Sequence, residues 1–206
     1  MSNKDEISLI KKAKKGDILA FEELILRYEA KIYNIAYRML SNEEDAKDVS
    51  QEIFIKVFKK LKKFRGDSNF STWLYRIATN ACIDELRKRK GKEIYSVDEK
   101  IETKEGSIIK EYVDDKQNVE ELIINKEKAY SIQLAINKLS EEHKKAIILR
   151  DLQGLEYNEI SKILECSLGT VKSKISRARR KLKELLINEE LFEYKTSLKR
   201  RKEGRK

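Results

Sequence analysis

Not one proline interrupts the 206 residues of this chain, and only seven glycines do. Proline ends helices by lacking a donor and clashing with the preceding turn, and glycine weakens them through backbone entropy. A chain with so little punctuation is expected to be all-α, with long helices. Apolar periodicity agrees. Phe21, Leu24, Tyr28, Ile32, Ile35, Ala36 and Met39 recur at three- and four-residue steps, which predicts one amphipathic helix from about Ile18 to Leu40. Ser41, with Glu44 three residues on, has the pattern of a capping box. A second helix should start there, turning Ala46, Val49, Ile53, Val57 and Leu61 inward and Asp45, Asp48, Gln51, Glu52 and Lys56 outward.

The stretch FRGDSNFST then breaks the pattern with Gly, Asp, Ser and Asn, the residues of turns, before a helix that holds Trp73, the only tryptophan of the chain. On a helical wheel Leu74, Ile77, Ala78, Ala81 and Cys82 form a buried arc. Arg76, Asn80, Asp84 and Arg87 line a polar stripe, with Trp73 at its edge and the bases Arg87 to Lys90 at its end.

From residue 91 to about 121 the sequence is polar, acidic and weakly periodic, as expected of a flexible linker. A second compact unit begins near Asn125, with Ile132, Leu134, Ala135, Ile136 and Leu139 on its first helix. Ser140 is placed to cap the next helix and Gly154 to end it. A short helix from about Tyr157 to Leu164, a turn at Glu165 to Ser167 and a long basic helix follow, which is the sequence shape of a helix-turn-helix. In the last helix Val171, Ile175, Ala178, Leu182 and Leu185 share one stripe, while Lys172, Ser173, Ser176, Arg177 and Arg180 share another. One face packs and the other is chemically suited to base edges and phosphates in a major groove. The expected organisation is two small helical domains, 1–90 and 125–188, joined by a linker over 91–124 and followed by a basic tail over 189–206 that frays.

Charge supports a polyanionic partner. Lys and Arg total 46 against 36 Asp and Glu, a formal charge of +10. Residues 1–90 hold 20 basic and 14 acidic side chains, residues 91–125 hold 5 and 10, residues 126–165 hold 7 and 7, and residues 166–206 hold 14 and 5. Two basic parts thus flank an acidic middle. Cys82 and Cys166 lie far apart, and His143 is the single histidine, so neither a zinc site nor a disulfide framework is expected. No catalytic residue, metal or cofactor is assigned. No apolar run suits a signal peptide or a bilayer span, and the expected location is the cytoplasm, without direct membrane insertion.

Three ordered motifs, DAKDVSQEIFIKVFKKLKKF, FRGDSNFSTWLYRIATNACID and GLEYNEISKILECSLGTVKSKISRARRKL, resemble regions two and four of sigma-70 family RNA polymerase sigma factors of the extracytoplasmic function (ECF) group. The resemblance covers roughly residues 5 to 188. It implies an alternative sigma factor: a dissociable subunit that directs core polymerase to promoters, binding its clamp coiled coil and flap. By match of motif, Asp48, Gln51, Glu52 and Phe54 fall where the family touches polymerase. Phe64, Arg65, Asp67, Ser68, Asn69 and Phe70 correspond to the loop that receives a base flipped out of the minus-ten element. Trp73, Arg76, Asn80, Arg87 and Lys88 continue that surface along the helix. Lys172, Ser173, Ser176 and Arg177 match base-reading positions for the minus-thirty-five element, with Thr170 and Arg179 as phosphate contacts. Many relatives carry Pro where this chain has Ser167, Arg where it has Lys172 and a bulkier side chain at Ser176, so the promoter sequence does not carry over. The resemblance also implies an anti-sigma factor as a partner.

Two other readings compete. A stand-alone helix-turn-helix regulator would need a sensor or dimerisation domain in the first ninety residues, where this chain has a loop with exposed aromatics beside a basic helix. An enzyme would need a glycine-rich phosphate cradle or a metal-ligand cluster, and the sequence offers neither.

Overall fold

The computed structural model describes the backbone of residues 3–95 and 119–203, and the side chains of 5–90 and 127–187. Its described elements are helical. They are α1 (Asn3–Lys14), α2 (Ile18–Leu26), α3 (Glu29–Leu40), α4 (Glu43–Lys60), a 3₁₀ turn (Leu61–Lys63), α5 (Phe70–Tyr95), α6 (Val119–Asn137), α7 (Glu141–Ile147) running into a π turn (Ile148–Leu152), α8 (Tyr157–Leu164) and α9 (Leu168–Glu203). Most of the expected linker lies outside the described residues.

In the first module α3, α4 and α5 pack on one another, and α1 lies along α2. Ala46, Val49, Ile53, Val57 and Leu61 are all buried, as are Leu74, Ala78, Ala81 and Cys82, while Ile77 is half-buried. Each large aliphatic side chain taken fully from water, such as Leu24, Ile32, Ile35 or Ile53, contributes ~1.5–3 kcal/mol.

Local signals moved three boundaries. The predicted helix from Ile18 to Leu40 is two helices, broken at Arg27–Tyr28, where the Tyr28 amide bonds the Ile25 carbonyl at 2.8 Å in a tightened last turn. The apolar stripe continues through the break, which is why periodicity alone reads one helix. The cap of α4 is Asn42 rather than Ser41: the Asn42 side chain accepts from the Asp45 amide at 3.0 Å, and Ser41 takes the left-handed conformation that closes α3. The chain start, which no pattern assigned, is the helix α1, and it buries Leu9, Ile10 and Ala13.

The second module follows its expected plan closely. Ser140 caps α7 by accepting from the His143 amide, and His143 is half-buried. Gly154 turns the chain with φ +69°, and Arg150 holds that turn by donating to the Leu155 carbonyl at 2.6 Å. Helix α8 spans Tyr157–Leu164 as predicted, Glu165 closes it in the left-handed region, and α9 follows. The tail expected to fray after 188 has a helical backbone to Glu203, since no proline or glycine occurs between Gly169 and Gly204.

The inward set expected of this module's first helix divides, and the helix, α6, ends at Asn137, before Leu139. Ala135, Ile136 and Leu139 are buried, whereas Ile132 and Leu134 are exposed and Gln133 is buried in their place. The reason is non-local: the two modules dock, with α3 against the π turn and α5 against α8. Ile136, Ile148, Leu149 and Ile160 join the apolar cluster that contains Ile32, Ile53 and Leu74. A polar clasp completes the contact. Gln133 donates to the Arg38 carbonyl at 3.1 Å and to Ser41 Oγ at 3.0 Å, and the Lys144 ammonium donates to the Met39 carbonyl at 3.3 Å and to Asn137 Oδ1 at 3.2 Å. Burial, and secondarily the charge of Lys90, holds Lys144 down at a pKa of about 8.

Candidate nucleic-acid interface

The loop between the 3₁₀ turn and α5 owes its shape to two features. Gly66 takes φ +84°, a conformation that a β-carbon disfavours. Phe64 and Phe70, at the two ends of the loop, fold inward instead of standing exposed as the sequence suggests, at 8% and 2% exposure. Their rings meet edge to face at 5.7 Å, and Trp73 packs on both, at 5.1 Å from Phe64 and 5.7 Å from Phe70. Trp73 is half-buried, so it serves the core with one face and the surface with the other.

Above this aromatic floor lies an open cleft of about 780 Å³ lined by Phe64, Arg65, Asp67, Ser68, Trp73 and Arg76 among others. Six of the expected minus-ten residues thus come together in one place. Asn69 stays at the edge, exposed, its carbonyl accepting from the Trp73 amide. Asn80 lies in an adjoining groove with Trp73, Arg76 and three lysines, Lys56, Lys60 and Lys63. Lys56 is on the face expected to point outward, and the spacing of Lys60 and Lys63 along α4 and the turn after it puts them on the same side. Arg87 and Lys88 sit farther along α5, outside both depressions.

The far wall of the cleft belongs to the second module: Ser161, Lys162, Glu165, Cys166 and Ser167. Side chains across the gap are paired. Arg76 donates to Glu165 at 2.7 Å, Lys145 to Asn80 Oδ1 at 3.4 Å, and Arg87 meets Glu141 at 3.2 Å.

On α9 the expected reading positions face solvent. Lys172, Ser176 and Arg177 are exposed, and Val171, Ile175 and Ala178 are buried beneath them. Ser167 Oγ accepts from the Thr170 amide at 3.2 Å and shares a hydrogen bond with Thr170 Oγ1, which anchors the helix start. Ser173 bonds back to the Thr170 carbonyl and is half-buried. Arg179, expected at phosphate, pairs with Asp151 at 3.0 Å, and that partner strengthens its hold on its proton.

Of the expected polymerase contacts, Asp48, Gln51 and Glu52 are exposed on α4, while Phe54 is half-buried against the core. Ile55 and Phe58, at 54% and 45% exposure, share that helix and were missed because they interrupt a polar face. Among the described residues no cluster of His, Cys, Asp and Glu could hold a metal ion, and no helix is long and apolar enough to cross a membrane. Burial pushes the Cys82 thiol up to about 12, which makes it unreactive.

Two helical modules, one with an aromatic-lined cleft beside basic side chains and the other a helix-turn-helix with Lys172 and Arg177 exposed, have the make-up of a DNA-binding protein. Residues 24–92 match the family model for sigma-70 region 2, and residues 130–182 that for sigma-70 region 4. The chain is 39% identical over 178 residues to the ECF RNA polymerase sigma factor SigW of Bacillus subtilis, covering 86% of this chain and 94% of that one. It is likewise 39% identical over 176 residues to the ECF RNA polymerase sigma-E factor of Escherichia coli K12, covering 83% and 88%. The fold is similar to the sigma factor RpoE in complex with the anti-sigma factor NepR from Bartonella quintana, with a TM-score of 0.63 and 29% identity over 81% of this chain and 96% of that one. This chain belongs to the sigma-70 family of RNA polymerase sigma factors, in its ECF group.

Proposed function

We propose that this chain is an alternative sigma factor that acts in the cytoplasm, catalyses no step itself, and confers promoter choice on core polymerase through three surfaces. The outward face of α4, with Asp48, Gln51, Glu52 and Phe54, docks on the clamp coiled coil, and the second module contacts the flap. The loop from Phe64 to Phe70, with Trp73, Arg76, Asn80, Arg87 and Lys88, holds the separated strand of the minus-ten element. Helix α9 enters the major groove at the minus-thirty-five element with Lys172, Ser173, Ser176 and Arg177, while Thr170 and Arg179 meet phosphates.

The observation that carries this reading is the cleft lined by the aromatic rings of Phe64 and Trp73, with Phe70 packed behind them, and rimmed by Arg65, Ser68 and Arg76. A base leaving the duplex loses its stacking, which costs a few kcal/mol, and an aromatic floor with polar edges returns that energy. The bases on the rim neutralise the strand's phosphates. A regulator that binds only intact duplex has no use for such a cleft.

In the docked arrangement Glu165 and Lys145 occupy Arg76 and Asn80, so strand capture requires the second module to move off α5. An anti-sigma partner would act by keeping the modules together. Run-off transcription with purified core polymerase on a randomised promoter library tests the reading. It expects transcripts that depend on the chain and share two sequence elements; duplex binding with no chain-dependent transcript would instead identify a stand-alone regulator.

A further inference from the structure

Helix α1 lies outside both regions matched by the family models, yet two of its side chains bond residues that frame the loop beside the cleft. Lys14 Nζ donates to the Phe64 carbonyl at 2.6 Å, tying the helix to the first residue of the loop fifty positions away. At the other end of the loop, the Tyr28 hydroxyl donates to Glu6 Oε2 at 2.5 Å. The ring of Tyr28 stands edge-on to Phe70 at 5.6 Å and to Tyr75 at 6.4 Å. Burial and the Glu6 hydrogen bond both push the Tyr28 phenol up, so it remains a donor at any ordinary pH. The backbone at one end of the loop, through Lys14, and the Phe70 ring at the other, through Tyr28, are therefore braced from α1.

We propose that Lys14 and the Glu6–Tyr28 pair are positioning residues for base capture: α1 holds Phe64 and Phe70 at the spacing that keeps the cleft open and Trp73 in place for an incoming base. This rests on the sigma-factor reading above for its purpose, but not for its geometry. Apart from the burial of Phe64 and Phe70 at its ends, few bonds fix the loop. The Phe64 amide bonds the Leu61 carbonyl at 3.0 Å, Ser68 Oγ bonds the neighbouring Asn69 carbonyl at 3.3 Å, and Gly66 has open space where a β-carbon would stand. Loops so lightly bonded are readily displaced. Helix α1 itself is held separately by the burial of Leu9, Ile10 and Ala13, so removing its polar contacts leaves it in place.

The test uses the full chain, in which Trp73 is the only tryptophan and stacks on the two rings in question. Lys14→Met removes the donor and keeps the length of the stem, Lys14→Arg restores a donor, and Lys12→Met removes an equal charge from an exposed neighbour. We expect Lys14→Met to raise acrylamide quenching of Trp73 about twofold. It should slow promoter opening about tenfold, the size of a lost charge-assisted hydrogen bond, while binding to core polymerase is unchanged. Lys14→Arg and Lys12→Met should match the parent protein in all three. Tyr28→Phe, which keeps the ring but breaks the bond to Glu6, should move quenching in the same direction by less.

Parental quenching in both Lys14→Met and Tyr28→Phe would overturn the proposal, as would equal slowing of opening by Lys14→Met and Lys12→Met. Quenching needs neither polymerase nor DNA. If the parent protein opens no promoter, the sigma-factor reading fails, while the quenching series still decides whether α1 braces the cleft.

Discussion

On α9 the groups proposed to read duplex DNA stand outside a helix whose inside is already packed, whereas at the head of α5 the groups proposed to hold a separated strand are partly the core itself. Lys172, Ser176 and Arg177 are exposed, over buried Val171, Ile175 and Ala178. Phe64 and Phe70 are buried, and Trp73 is half-buried on top of them. The difference follows from the substrates. A duplex offers its edges to any helix that fits the groove, so reading positions can be changed without touching the fold. A flipped base needs a wall to stack on, and a wall of that kind has to be built from core aromatics. The second contrast is occupancy: Lys172 and Arg177 enter no hydrogen bond or ion pair among the described residues, but Arg76, Asn80 and Arg87 are each engaged by the second module.

The largest difference between the two regions is expected in stability. Phe70→Ala should destabilise the protein by ~3–5 kcal/mol through the cavity it leaves, while Lys172→Ala should stay within about 0.5 kcal/mol of the parent. Urea unfolding measures both, and similar values for the two variants would erase the distinction between a wall and a surface.

Next in size is reading by α9. Arg177→Ala should cost about 1–3 kcal/mol of discrimination at a single position of the minus-thirty-five element, scored by competition among duplex variants. A loss spread evenly over all sequences would move Arg177 to phosphate and leave base reading to its neighbours.

Docking of the modules is a further handle. Lys144 is held at about 8 in the docked protein against an ordinary 10.5. Below pH 8 it carries its charge whether docked or free, and the desolvation cost of docking is fully present. As pH rises from about 8 towards 10.5 the docked form has lost a proton that the free form still holds, so docking strengthens. The shift of Lys145, also downward through burial, adds in the same direction. Energy transfer between labels on α4 and α9 should report closer modules at pH 9.5 than at pH 7.5, and Lys144→Met should remove most of that change.

Smallest is the exposed bridge from Arg76 to Glu165, with side chains 38% and 69% exposed. Glu165→Gln should weaken docking by at most about 1 kcal/mol, and so raise the affinity of the free chain for single-stranded minus-ten DNA by no more than about fivefold. A much larger gain would mean that this one bridge, rather than the shared core, covers the strand-holding surface.

Sequence patterns reached much of this, for reasons that are local. The buried positions of α4, the turn at Gly154, the limits of α8 and the two faces of α9 each follow from residues within a few positions of one another. What escaped was non-local. Ile132 and Leu134 read as core on α6, but Gln133 is buried because its partners are Arg38 and Ser41 of the other module. The bonds from Lys14 to Phe64 and from Arg76 to Glu165 join residues that no periodicity relates. The inward turn of Phe64 and Phe70 was equally hidden, since a loop of Gly, Asp, Ser and Asn gives no sign of where its aromatics point.

Action of the head of α5 on a separated strand is probed best at Asn80, which is exposed and, among the described residues, enters one side-chain hydrogen bond, accepted from Lys145. Asn80→Ala should be assayed in parallel for affinity to core polymerase and for opening of a promoter, read as permanganate reactivity of thymines in the minus-ten element. If α5 holds that strand, affinity for core polymerase is unchanged and opening falls about tenfold, the value of a lost base contact. Equal losses in the two assays, or normal opening, would contradict it.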